Sequence, residues 1–385
     1  MAERSLKVDV APEMFEWARK RSGYTREALS KRFPKLDGWM SGADRPTLKQ
    51  LERFARATRV PIGYFFLPQP PRERIPIPDF RTIAGGRRKE PSGNLLDTIY
   101  LCQQRQDWYR EYALANDHAP IGFIGSARLT DDIVATANRM RSTVGLDVEQ
   151  RREFRSWKDA LRCFVEQVDE AGVLVMVSSV VGSDSRRKLD PDEFRGFALS
   201  DPVAPVVFVN GADTRAAQMF TLAHELAHLW LGESSLSDTR PDTLPTHRVE
   251  RWCNAVAAEF LVPMENLRRL LRRGEPLREA VHRLARDFKV STLVILRRLY
   301  DLQELTRSQF RAAYEAELAR VRRLRRGAGG DFYGTTTMRV SRRFAAAVVS
   351  AVLEGRASFT EAARLLGFRK TETFRRLSQT LEVGA

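Results

Sequence analysis

Apolar residues along this chain recur mostly at three- and four-residue spacing, the signature of amphipathic helices, and form dense runs in one region only. Met14, Phe15, Trp17 and Ala18 predict a first helix that Gly23 ends; Thr25 can cap a second, with Ala28, Leu29 and Phe33, stopped at Pro34. Leu48, Leu51, Phe54 and Ala55 form one stripe on a further helix. Long helices are predicted from Asn94 to Asn116, from Thr130 to Val144, and from Trp157 to Ala171, where Gly172 terminates the last. The pattern then changes. Val173 to Val181 is β-rich and bounded by Gly172 and Gly182, and Phe194–Leu199 and Pro205–Val209 read as two more short strands. Beyond them the helical period returns over Thr221–Trp230, over Val249–Leu261 up to Pro263, and over Leu277–Tyr300 with a turn at Val290-Ser291. It reappears at Phe359–Gly367 and from Thr371 to Leu377. The fold class that follows is α+β, mostly helical, with one small mixed sheet.

Thr221–Trp230 carries the chemistry. His224 and His228, four residues apart, project from one helix face and can share a metal ion. Zinc suits the arrangement, because it accepts two imidazoles and a carboxylate and leaves a fourth position for water. Glu225 lies about 100° round the helix, close enough to take a proton from that water as a general base. The chain has only five histidines, so two of them falling in this spacing is informative.

A third ligand has to come from elsewhere. Leu231 and Ser234 stand where a glycine and a third histidine would extend the helix motif, which excludes that variant. The helix over Val249–Leu261 offers Glu250 and Glu259, nine residues and so about 180° apart, and only one can face the metal. Glu250 is chosen, since Asn254 lies one turn on and can orient a ligand. His247 is the alternative third ligand and a candidate oxyanion stabiliser, a role for which Tyr333 is a second candidate. The strands before the zinc helix also suggest a use. An exposed edge can hold a peptide extended by main-chain hydrogen bonds, and Phe194–Leu199 or Pro205–Val209 is expected to be that edge.

His224-Glu225-Leu226-Ala227-His228, Glu250-x-x-Cys253-Asn254 and Ala257-Ala258-Glu259-Phe260-Leu261-Val262-Pro263 together resemble the ImmA/IrrE family of zinc metallo-endopeptidases. Phe194–Leu199, Ala204–Asn210 and Phe220-Thr221-Leu222 resemble the same family just before its zinc helix. The family usually reads Ala-Asn where this chain has Cys253-Asn254. The resemblance implies His224, His228 and Glu250 as zinc ligands and Glu225 as base, in a zincin-like core. It also implies a protein substrate, a repressor with a helix-turn-helix fold. Trp17-Ala18-Arg19 through Trp39-x-x-Gly42, Pro46-Thr47-Leu48 and Val60–Pro68 are similar to Cro/Xre-type helix-turn-helix domains often fused to that family. The recognition helix left between Arg32 and Gly42 would be very short and would contain Gly38 and Asp37, which weakens a DNA-reading role. Lys35, Arg45 and Lys49 are the side chains placed to contact DNA if it is read.

Four segments follow: residues 1–68, a helix-turn-helix domain; 69–91, a Pro/Gly-rich linker with Asp79-Phe80-Arg81-Thr82 in it; 92–263, the peptidase domain; and 264–385, a basic helical domain with helix-turn-helix-like units. Gly327–Gly330 is a candidate hinge in the last. The net charge of +15 points to an acidic partner, DNA first; residues 264–385 hold 26 Lys+Arg against 13 Asp+Glu. Three cysteines without paired spacing suit a reducing compartment, and no run could span a bilayer, so a cytoplasmic protein without a membrane partner is expected. The alternative function is a DNA-binding regulator or antitoxin whose zincin fold is a sensor. An intact Glu225 argues against a purely structural metal, because structural zinc sites fill all four positions with protein ligands.

Overall fold

The computed structural model describes residues 6–80, 90–237, 247–324, 336–368 and 370–381. The chain divides into two compact units: residues 1–76 with 88–97, and residues 77–87 with 98–385. In the first, α1 (Pro12–Ser22), α2 (Arg26–Arg32), α3 (Leu36–Met40) and α4 (Leu48–Thr58) are followed by a 3-10 turn at Ile62–Phe66. Their apolar stripes meet around Phe54, which makes edge contacts with Phe15 at 5.4 Å and Phe33 at 5.2 Å. Thr47 and Gln50 form a reciprocal capping box that starts α4. The α3 helix is only five residues long and contains Gly38, while Asp37 on it binds Arg26 at 2.6 Å.

Next come α5 (Gly93–Ala115), α6 (Ile133–Val144), α7 (Val148–Glu153) and α8 (Trp157–Glu170), then β1 (Leu174–Ser178), β2 (Gly196–Leu199) and β3 (Val206–Asn210). The long buried helix α9 (Arg215–Leu231), a short strand β4 (Ser235–Ser237) and α10 (Arg248–Leu261) complete the central region. The sheet is mixed, in the order β1-β3-β2-β4, with β1 parallel to β3 and β2 antiparallel to both β3 and β4. The expected substrate edge is therefore misplaced: β2 and β3 are both interior strands, and the sheet ends at β1 and β4. The reason is physical. Every residue of β1, β2 and β3 is buried, so the three read alike as apolar runs, and such runs carry no information about lateral position. The Ser-Leu-Ser of β4 is too short and polar to announce a strand.

The remaining helices are α11 (Met264–Leu270), α12 (Leu277–Phe288), α13 (Thr292–Asp301), α14 (Arg307–Leu324), α15 (Thr336–Val340), α16 (Arg342–Leu353), α17 (Phe359–Leu366) and α18 (Thr371–Leu381). The expected boundary after Pro263 does not coincide with a break in packing. One core holds Val168, Val207 and Leu226 together with Val281, Leu284, Phe288, Ile295 and Leu299. The second helix of the Leu277–Tyr300 pair, α13, has most of its side chains in that core, and Arg298 on it points inward. The turn between α15 and α16 is held by Asp169 at the end of α8, which accepts from Ser341 Oγ at 2.5 Å and Arg343 N at 2.7 Å. The α17 helix is tied to α5 by Trp108 Nε1 donating to Glu361 and Arg105 Nε donating to the Leu365 carbonyl, both at 3.0 Å. Among the described residues no helix is long and apolar enough to cross a membrane. Gly327–Gly330 and Tyr333 lie outside the described residues.

Candidate metal centre

The α9 helix starts on Thr214, whose side chain accepts from Ala217 N, and ends on Gly232, whose φ of 74° is the left-handed turn a helix C-terminus favours in glycine. Between them every residue from Thr221 to Trp230 is buried, because the helix is apolar almost all round and is enclosed by the sheet and its neighbouring helices. Two polar turns therefore sit inside the core, and their side chains must satisfy one another.

His224, His228 and Glu250 converge. Their donor atoms all lie within 4.8 Å of one another. Glu250 Oε1 is 3.0 Å from His228 Nε2, its Oε2 is 3.3 Å from His224 Nε2, and the two imidazole nitrogens are 3.1 Å apart. None of the three side chains is more than 3% exposed. Burial works against the Glu250 charge, yet the His224 charge and the hydrogen bonds from both imidazoles hold its carboxyl well below the usual range. Burial also opposes charge on His224, but Glu250 outweighs it and raises that imidazole, whereas burial dominates at His228 and lowers it.

This donor set fits a divalent metal. Both Nδ1 atoms lack a hydrogen-bond partner, and both Nε2 atoms face the carboxylate across one small space. Two neutral imidazoles and one carboxylate leave a tetrahedral ion an open position, the arrangement zinc takes in hydrolytic sites. Asn254, one turn beyond Glu250, helps to raise the His224 imidazole, while its buried Oδ1 makes no hydrogen bond.

Glu225 stands beside the triad with no exposed surface. Burial pushes its carboxyl up to about 8, with the His224 charge opposing and Glu250 adding to the rise. Ser235 Oγ donates to its Oε2 at 3.4 Å, while Oε1 has no partner. Ser237 Oγ donates to Glu250 Oε1 at 3.5 Å and lies 3.4 Å from His228 Nε2. Alternation along β4 thus turns both serines to the site and leaves the Leu236 backbone for the opposite edge. Sequence reasoning missed these serines, since a three-residue strand has no periodicity to read.

It also passed over Gly196. A Cβ there would stand 2.5 Å from Thr221 Cγ2, 2.8 Å from the Phe208 carbonyl oxygen and 3.3 Å from Glu225 Cγ. A glycine inside a strand was the available signal, because it marks a close approach of another element. Gly196→Ala should cost about 1–3 kcal/mol through overpacking and should lower hydrolytic activity by displacing Glu225, with metal content retained. Thermal melting beside elemental analysis checks it, and a variant as stable and active as wild type would show that the approach has slack.

The other expected site residues lie elsewhere. His247 is exposed at the start of α10, its ring 4.7 Å from that of Phe80, and it is not one of the three converging donors. Glu259 sits at the far end of α10, bound to Arg298 and accepting from Met264 N at 3.2 Å. That end is held by arginines: Arg141 donates to the carbonyls of Glu259 and Phe260, Arg151 to Leu261, and Arg298 to Val262. Cations there satisfy the last carbonyls of the helix whose first turn carries Glu250. Lys35, Arg45 and Lys49 are exposed in the first unit, where Lys35 binds Asp44 at 3.2 Å and Arg45 binds Asp9 at 3.6 Å.

Comparison with known proteins agrees with this geometry. Residues 168–300, which contain the whole cluster, match the IrrE N-terminal-like domain. Residues 340–380 match a domain of unknown function, DUF8813. The chain is 37% identical over 111 residues to the radiation response metalloprotease IrrE of Deinococcus deserti, and 34% identical over 111 residues to that of Deinococcus radiodurans. Each alignment covers 28% of this chain, and it spans 38% and 33% of those two proteins. The likeness is thus to a peptidase-type domain, and the chain covers only about a third of each relative's length.

Proposed function

We propose that the chain is a zinc-dependent endopeptidase. The observation that carries this reading is the convergence of His224, His228 and Glu250 on one buried point with Glu225 beside it. The metalloprotease activity named for the two Deinococcus relatives supports it. A zinc ion held by those three residues supplies Lewis acidity to a peptide carbonyl and acidity to a water. The protein's own part is proton handling and positioning. Glu225 takes a proton at its unpaired Oε1 and returns it to the leaving amine nitrogen, while Ser235 steadies its other oxygen. Ser237 holds Glu250.

The substrate in this reading is a protein, a repressor with a helix-turn-helix fold, cleaved within a stress, mobile-element or toxin–antitoxin type of circuit. The family resemblance supplies the substrate class, and the relatives' name, radiation response metalloprotease, supports a stress setting. Cysteines without disulfides support a cytoplasmic site of action.

Elemental analysis of the purified full chain tests the reading. Wild type should hold about one zinc per chain, His224→Ala should hold none, and only wild type should cleave an unstructured protein substrate. Wild type without metal after zinc is supplied would leave the cluster as a hydrogen-bonded core and overturn the proposal.

A further inference from the structure

All four side chains at the metal centre are buried, so a protein substrate reaches them only by displacing something. Against the edge of β4 lies a segment of the chain itself. Leu236 N donates to the Pro78 carbonyl and Phe80 N donates to the Leu236 carbonyl, both at 2.9 Å, and Asp79 pairs with Leu236 in the parallel sense. The Phe80 ring stacks on that of His228, with centroids 6.0 Å apart and planes within 10°, and its other neighbour is His247. We propose that this β4 edge is the groove that takes an extended peptide bearing an aromatic side chain, and that Pro78–Phe80 occupies it as an internal competitor. The proposal rests on the peptidase reading for its consequence, and on the pairing alone for the groove.

Three observations carry it. The edge leads to the chemistry, because the strand that offers Leu236 to a peptide also turns Ser235 and Ser237 onto Glu225, His228 and Glu250. The groove has the two parts peptide recognition needs: a main-chain donor and acceptor for any sequence, and an aromatic seat beside two imidazoles for specificity. The occupant is short. Among the described residues its pairing with β4 comprises two hydrogen bonds, Pro78 has no N–H to add another, and Pro78 is exposed. A longer peptide without prolines would pair over more residues and displace it.

The test uses full-length wild type, Phe80→Ala and Phe80→Leu, with a fluorescein-labelled peptide Ile-Pro-Ile-Pro-Asp-Phe, the sequence of residues 75–80. By anisotropy the peptide should bind Phe80→Ala about tenfold more tightly than wild type, since one aromatic contact no longer competes. Phe80→Leu, which keeps an apolar side chain, should fall between. Exchange of the Leu236 amide should quicken in Phe80→Ala and slow again when the peptide is added. Cleavage of an unstructured protein should rise severalfold in kcat/KM. Equal affinity for wild type and variant, or no binding to either, would overturn the groove. A fall in cleavage with Phe80→Ala would make Phe80 a fixed part of the site and overturn the competitor. Discriminating peptide binding without cleavage by any of the three proteins would instead sink the peptidase reading and leave the groove standing.

Discussion

Glu225→Gln should abolish measurable peptide hydrolysis while leaving the metal bound. The amide fills the same volume and can still accept from Ser235, so the buried site keeps its packing. What it loses is the capacity to take and return a proton. General acid–base catalysis contributes roughly 10²–10⁴ in rate, and a loss in that range is expected. None of the three converging donors belongs to Glu225, so zinc content should match wild type. Initial rates on an unstructured protein, measured beside elemental analysis of the same preparations, decide it. A variant within about twofold of wild type would remove Glu225 from the proton transfers. A variant that had also lost its zinc would show that the carboxylate helps to hold the ion.

The second large effect concerns stability. Arg298→Met should destabilise the second unit by about 3–5 kcal/mol, because it leaves the Glu259 carboxylate buried without its partner. The two side chains are 7% and 6% exposed, so solvent cannot replace what is removed. Arg298 Nε also satisfies the Val262 carbonyl, which would lose a donor at the end of α10. Pairing the change with Glu259→Gln should recover much of the loss, since the uncompensated charge is then gone. Thermal melting of wild type, the two single variants and the double variant measures the coupling. Additive losses, with no recovery in the double variant, would mean that the pair is not energetically linked and that α10 is held by packing alone.

Much of the local structure was legible in the sequence. Leu48, Leu51 and Phe54 announced α4, Gly172 and Gly182 bracketed β1, and Pro263 followed the end of α10, because helical period, turn residues and stops act over a few positions. The four-residue spacing of His224 and His228 placed both on one helix face before any fold was known, since side-chain direction along a helix is local geometry. The half-turn separation of Glu250 and Glu259 likewise put only one of them on the side of the imidazoles, and the other was left for Arg298.

What tertiary structure alone decided is lateral. That β4 is the strand against the site, that β2 and β3 lie inside the sheet, and that Ser235, Ser237 and Gly196 meet Glu225 all depend on which elements become neighbours. Three dense apolar runs are interchangeable in sequence, and strand order is set by how the whole core closes around α9. The same holds for Phe80. Nothing within a proline-rich stretch says that its aromatic ring will stack on a histidine about 150 residues further on, because that contact exists only once α9 has turned His228 toward β4 and β4 has offered Leu236 to a passing strand.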